Sequence, residues 1–321
     1  MELDGIANKI VDGSLENVTG NTTVNMYLIK KHQTKSIENM FGVNTVDITD
    51  IAKDFRNIVN KNLADLRTKM NLEGIKYKEF MKVNTPKDDT ILMIECTEVK
   101  TLTNIYDKIK QRQNLEAVTR YKDVKNIHAY AIELKIGDDR LICFTKYSAK
   151  HVISKKFSLT TLFFRGRFNK IKQDVFAFDD YFDCIYDTKS GYVIVLDKTG
   201  FEHVFNFKDY YKERTTEALK GLQQSNLIAI DNTLLLKASE KLPFSRKITK
   251  LFVNNELNKP LKYFQDHKTQ LGTKLNFEII SNKIVIKDEK SLKDFIRVCA
   301  DDFVEGIVSK KKYVSDIKDE V

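Results

Sequence analysis

The chain has 321 residues, 42% of them hydrophobic and 31% charged, enough to bury one large core or two of ordinary size. It contains no run of about 18 apolar residues and opens Met1-Glu2-Leu3-Asp4, a composition that predicts neither a spanning helix nor a secretory leader. Its formal charge of +9 is concentrated: residues 141–173 hold eight Lys or Arg and no acid, leaving +1 for the rest of the chain.

Residues 1–21, rich in Gly, Asn, Asp and Thr, carry weak periodicity and are expected to be poorly ordered. Residues 22–30 alternate as a half-buried strand does. Ile48, Ile51, Ala52, Phe55, Ile58, Val59, Leu63, Leu66 and Met70 then form the apolar stripe of an amphipathic helix, with Asp47 placed to cap it. Strands are expected at 75–83 and 91–96, and a helix over 99–109. Residues 127–136 and 140–147 flank Gly137-Asp138-Asp139 and predict a hairpin.

From within the basic window onward, β-branched and aromatic runs at 159–164, 174–178, 182–187 and 192–196 predict short strands, the last two joined by Lys189-Ser190-Gly191. Helices follow at 207–222, 232–239, 245–253 and 257–267, then a hairpin around Ser281-Asn282-Lys283 and a helix through Leu292 and Cys299. Strands and helices in blocks predict an α+β fold with mainly antiparallel sheets. The expected division is an amino-terminal module over 22–150 and a carboxy-terminal module over 151–321.

Cys96, Cys143, Cys184 and Cys299 are too scattered for a zinc pattern and read as buried thiols of a cytoplasmic protein. The histidines, His32, His128, His151, His203 and His267, show no metal-binding or catalytic spacing and read as surface or partly buried residues. No phosphate-cradling glycine motif is present, and no cofactor or metal is expected. The Asp/Glu-x-Lys triplet of metal-dependent nucleases occurs seven times, against about six expected by chance at this composition. Two copies fall on predicted strands: Glu98-Val99-Lys100, with Asp88 or Asp89 upstream, and Glu133-Leu134-Lys135, with Asp123 upstream. They define a rival reading as a metal-dependent nuclease.

The basic window fits contact with the phosphate backbone of duplex DNA, because Lys and Arg release counterions and Arg forks phosphate oxygens. Its candidate contacts are Lys155, Lys156, Arg165, Arg167, Lys170 and Lys172, with Arg246, Lys247 and Lys250 as a secondary patch. A solvated face paired with acids elsewhere, and an adaptor that binds protein rather than DNA, are the competing explanations.

The succession Phe163-Phe164-Arg165-Gly166-Arg167-Phe168, Val175-Phe176-Ala177-Phe178-Asp179, Phe182-Asp183-Cys184-Ile185 and Phe201-Glu202-His203-Val204-Phe205, closing on Asp301-Asp302-Phe303-Val304 and Tyr313, resembles the Kiwa protein B family of bacterial anti-phage systems. The order of these aromatic motifs carries the likeness, which covers most of the chain from Phe163 on and is looser before it. At the end, Lys310-Lys311-Lys312 stands where the family pattern leads one to expect a turn-forming residue. The resemblance implies a self-associating DNA-binding effector that silences phage DNA. It also implies a membrane-embedded partner, Kiwa protein A, that recruits this cytoplasmic chain to the inner face of the membrane. Phe163, Phe176, Phe178, Phe182 and Phe201 are expected in the core. Asp183 and Glu202, acids among buried aromatics, need partners and are expected to anchor Arg165 or Arg167, or else to belong to an active centre.

Overall fold

The computed structural model describes residues 22–34, 36–82, 88–124, 127–136, 139–147, 152–153, 161–164, 167–170, 175–305 and 312–314. The fold is α+β with mainly antiparallel sheets, as the blocked pattern predicts. Contacts divide the chain into Met1–Lys78 with Asp88–Phe205, and Glu79–Lys87 with Asn206–Val321. The boundary drawn from sequence near residue 150 thus falls within the first unit.

The first unit is built on an eight-stranded sheet. Its strands are β1 (Thr23–Lys31), β2 (Phe41–Val46), β3 (Lys76–Glu79), β4 (Thr90–Glu95), β5 (Ala129–Ile136), β6 (Asp139–Lys146), β11 (Cys184–Asp187) and β12 (Tyr192–Val195), in the order β2-β1-β5-β6-β11-β12-β4-β3. Between β6 and β11 the chain forms β7 (Val152–Ile153), β8 (Thr161–Phe164), β9 (Arg167–Lys170) and β10 (Val175–Phe176), which pair apart from the sheet as β7 with β10 and β8 with β9. Strands β11 and β4 are buried on both sides, hence their near-continuous apolar sequence.

Helices in this unit are α1 (Ile37–Met40), α2 (Ala52–Met70), α3 (Lys100–Lys110), α4 (Tyr121–Val124) and α5 (Lys198–Val204). Phe55, Val59, Leu63, Leu66 and Met70 of α2 join a core with Met26, Leu28, Ile132, Leu134, Cys143 and Ile185 of the sheet. At about 1.5–3 kcal/mol for each buried large side chain, this stripe outweighs helix propensity in fixing α2. Asp47 acts one turn earlier than expected: its Oδ1 accepts from Thr49 N at 3.0 Å and Thr49 Oγ1 at 2.7 Å, and a 3₁₀ turn at Thr49–Ile51 precedes the helix. The strand expected over 75–83 stops at Glu79 and gives way to a 3₁₀ turn at Phe80–Lys82.

The second unit contains α6 (Phe207–Gln224), β13 (Ile228–Ile230), α7 (Asn232–Glu240), α8 (Leu242–Val253), α9 (Leu261–Leu271), β14 (Glu278–Ile280), β15 (Lys283–Ile286), α10 (Glu289–Cys299), β16 (Phe303–Glu305) and β17 (Lys312–Val314). Leu219, Leu222, Leu235, Ile248, Leu251, Leu292 and Phe295 share its core, and Phe264 stacks on Phe295 with centroids 5.3 Å apart. The β14–β15 hairpin turns on Ser281 (φ 49°) and Asn282 (φ 62°), both left-handed, the backbone a tight two-residue hairpin requires. Ser291 and Asp288 cap α10 reciprocally. Strand β13, which sequence pattern does not distinguish from loop, pairs parallel to β15.

Candidate nucleic-acid interface and the charged cluster at its root

The basic window leaves the sheet at Lys146, the last residue of β6. Its candidates Lys155, Lys156, Arg165 and Lys172 lie outside the described residues. Arg167 and Lys170 are the end residues of β9, paired in the β8–β9 ribbon with Phe164 and Thr161. Of the secondary patch, Lys247 pairs with Asp302 in a largely buried ion pair; Arg246 and Lys250 are half-buried on the same helix, α8. This patch belongs to the second unit and the window to the first.

The root of the window is tied to Asp183, just before β11. Asp183 is wholly buried, and its Oδ2 accepts from the backbone N–H of Lys146 at 2.6 Å. The Lys146 ammonium lies 3.9 Å from Asp183 Oδ1 and 3.2 Å from Asp197 Oδ2. Among the described residues Lys146 is therefore the basic group anchored by Asp183, a role expected of Arg165 or Arg167. Burial, only partly offset by the Lys146 N–H and ammonium, pushes the Asp183 carboxyl up to about 6. Against its own partial burial, Lys146 is held above its ordinary value by the two carboxylates. Glu202, on α5, is also buried.

Asp197 caps α5, with Oδ1 accepting from Thr199 N at 2.8 Å and Gly200 N at 3.2 Å. Burial would raise its pKa, but these N–H groups and Lys146 hold it below the ordinary carboxylate value. Gly200 is needed here: a Cβ on it would sit 1.8 Å from Asp183 Oδ1. Phe201 is fully buried as expected, but on a helix rather than a strand; Phe182 is buried in the sheet core, and Phe176 and Phe178 pack half-buried against it. Phe163 carries no described side chain.

Beside this cluster, His128 lies between two rings. Its centroid is 5.5 Å from buried Phe41 and 4.5 Å from exposed His203, the imidazoles stacking at 22°. His128 Nε2 meets the carbonyls of His203 at 2.9 Å and Val204 at 3.2 Å; carbonyls only accept, so Nε2 carries the proton. Burial, and after it the His203 ring, push the His128 imidazole down to about 4. Burial, Lys146 and Lys31 lower His203. Both rings are accordingly neutral at pH 7. Nothing in the local sequence flags this stack, since its members come from positions 41, 128 and 203. Asp197 followed by Thr199 and Gly200 is a readable helix start, masked by the strand-like aromatic run after it.

Of the two nuclease triplets expected on strands, Glu133-Leu134-Lys135 lies on β5 and Glu98-Val99-Lys100 does not lie on a strand. Glu98 lies in a 3₁₀ turn at Cys96–Glu98, and Asp123 is bridged to Arg120 at 3.0 Å. Glu133 is buried on β5 with its Oε2 accepting from Asn25 at 2.8 Å and Tyr27 OH at 2.7 Å, while Arg140 holds Oε1 at 3.2 Å. Three protein donors thus occupy the carboxylate that would have to ligate a metal. Among the described residues no group of three or more His, Cys, Asp or Glu side chains could hold a metal ion. Among the same residues no helix is long and apolar enough to cross a membrane.

The curated protein "Kiwa protein KwaB" of Escherichia coli O55:H7 (strain RM12579 / EPEC) is 25% identical to this chain over 211 residues, covering 63% of this chain and 64% of that protein. No solved structure matches. The family model described as "Kiwa protein KwaB-like" matches residues 124–309, from the last residue of α4, ahead of the aromatic motifs, to beyond β16. With more than half of its length under that match, the chain belongs to the Kiwa protein KwaB-like family.

Proposed function

We propose that this chain is a sequence-independent DNA-binding effector of a bacterial anti-phage system. It binds duplex DNA through backbone phosphates to block phage replication or transcription. The family membership supports the defence role. The observation that carries DNA binding is the concentration of eight basic residues, with no acid, in residues 141–173. Part of that segment forms a two-stranded ribbon outside the main sheet, an element of a size that the DNA major groove admits. Phosphate contacts fix position without reading bases, in keeping with a sequence that carries no helix-turn-helix signature.

In this reading Lys155, Lys156, Arg165, Arg167, Lys170 and Lys172 track phosphates, with Arg246 and Lys250 contributing a weaker second patch. Lys247, which pairs with Asp302, belongs to the same patch. The chain acts as a homo-oligomer and is recruited to the membrane by Kiwa protein A. Mobility shifts of random duplex over a salt series test the reading: log affinity falls against log salt with a slope of several units if about six phosphates are neutralised. The double change Arg165→Glu with Arg167→Glu weakens every duplex about equally and flattens the slope by roughly one unit per lost contact. A salt-insensitive shift, or none, overturns the proposal.

A further inference from the structure

The acid-free window has a counterpart that phosphate tracking leaves without a role. Residues 174–187 hold five Asp and no Lys, Arg or His, so the eight bases of 141–173 are followed at once by an acidic run. Pairing of β11 with β6 returns that run to the foot of the window. Asp174 lies outside the described residues. Asp187 serves the next turn, accepting from Lys189 N and Ser190 N, both at 3.1 Å, and exposed Asp180 bridges Lys61 at 2.6 Å. Asp183 stands at the foot itself, against the backbone and the ammonium of Lys146.

The charge of Asp183 is poorly compensated there. Lys146 is one ammonium against two carboxylates, a net −1 when both acids are ionised, and it sits nearer Asp197, at 3.2 Å, than Asp183 Oδ1, at 3.9 Å. Asp197 also has the N–H groups of Thr199 and Gly200, whereas Asp183 Oδ1 has no hydrogen-bond partner among the described residues. A wholly buried acid with such an oxygen is the member of the trio that gives up its charge. The groups facing it are Lys146 from β6, Asp197 ahead of α5, Tyr130 from β5, Asp179 and Tyr181 from the approach to β11, and Cys184 beside it; α5 meets it through uncharged Gly200. Burial keeps both tyrosines and the thiol neutral, and Asp197 is held ionised.

We infer that Asp183 is a proton-operated brake on nucleic-acid binding: ionised, it repels phosphates from the foot of the basic window, and one proton releases it. The inference rests on the proposed function and adds the regulation of that same site. By reciprocity, bound DNA raises the proton affinity of Asp183 by the factor that the proton adds to DNA affinity. A like charge about 8–10 Å from a phosphate changes affinity by about two- to sixfold under physiological screening.

The test measures binding of random duplex to the full chain from about pH 5 to pH 8 at constant ionic strength, with a thermal melt at each pH. Wild-type affinity rises as the pH falls through about 6. Asp183→Asn, permanently uncharged, binds about two- to sixfold tighter than wild type at about pH 8 and equally at about pH 5. Comparing the two chains at each pH cancels the histidines, which both share. Carbon-13 labelling of the aspartate carboxyls gives a second readout on the wild-type chain alone. The carboxyl that titrates near pH 6 moves its midpoint upward on saturation with duplex, by about 0.3–0.8 pH for the same factor. Equal affinities of variant and wild type at high pH, or an unmoved midpoint, overturns the brake and leaves the DNA-binding reading standing; if the variant does not melt cooperatively, the midpoint decides. Absence of any wild-type binding at every pH overturns the proposed function, and the brake with it.

Discussion

Asp183→Asn tests the energetics of the buried cluster directly. The Asp183 carboxyl has no exposed surface and rises from an ordinary 3.8 to about 6, chiefly through burial, which corresponds to roughly 3 kcal/mol. Because the folded carboxyl holds its proton more tightly than the unfolded one, this contribution is fully present below about pH 4 and is lost as the pH rises through about 6. The wild-type chain therefore loses about 3 kcal/mol of stability from this group between those limits. Asparagine, with its amide oxygen turned into the place of Asp183 Oδ2, keeps an acceptor for the Lys146 N–H and removes the charge. Urea unfolding of the first unit, followed at half-unit steps from pH 4 to pH 8, is expected to show the falling limb in wild type and its absence in Asp183→Asn, with the variant at least as stable at pH 7. A variant destabilised by 3–5 kcal/mol at pH 7 would refute the argument, because it would show that the ionised carboxylate and Lys146 attract more strongly than burial penalises them.

Gly200→Ala drives a methyl to 1.8 Å from Asp183 Oδ1 and is expected to destabilise by about 1–3 kcal/mol or more, measured by thermal melt. Glu133→Ala leaves Asn25, Tyr27 and Arg140 without their shared acceptor and is expected to cost about 2–4 kcal/mol; a fully stable variant that has lost DNA cleavage would instead favour the nuclease alternative. Phe264→Ala opens a cavity beneath Phe295 and is expected to cost about 3–5 kcal/mol in the second unit, read by chemical denaturation. Ser281→Gly relieves a left-handed non-glycine turn position and is expected to stabilise by about 0.5–1 kcal/mol in the same assay.

Local rules made much of the secondary structure legible. The 3.6-residue stripe from Phe55 to Met70 marks α2 because it buries one face against a large partner, whereas β1, expected as a half-buried strand, is buried on both faces from Asn25 to Ile29. Strand β13 is not legible in the sequence: three residues between two helices leave too little pattern, and its pairing with β15 is made by residues more than fifty positions away. Helix α5 was hidden for the opposite reason, since Phe201, Val204 and Phe205 are apolar enough for a buried strand while the cap at Asp197 is a single residue. At the site, Asp183 announced itself as an acid among aromatics, but its partner did not. Which of the chain's many bases lies beside it depends on β6 pairing with β11, a register fixed across the whole intervening window.

That register has an architectural consequence. Strands β6 and β11 are hydrogen-bonded neighbours, so the chain leaves the sheet at Lys146 and re-enters beside the same point; Asp183 N donates to Phe144 O at 2.8 Å and Lys146 N donates back to Asp183. The intervening segment is a cassette whose two ends are stitched together by the scaffold. Cassettes with fixed ends tolerate changes of length cheaply, since closure cost grows only with the logarithm of the loop. Replacing residues 148–174 with a short Gly/Ser connector should leave the β5–β6–β11–β12 sheet able to pair, so the scaffold does not depend on the length or charge of the segment it carries.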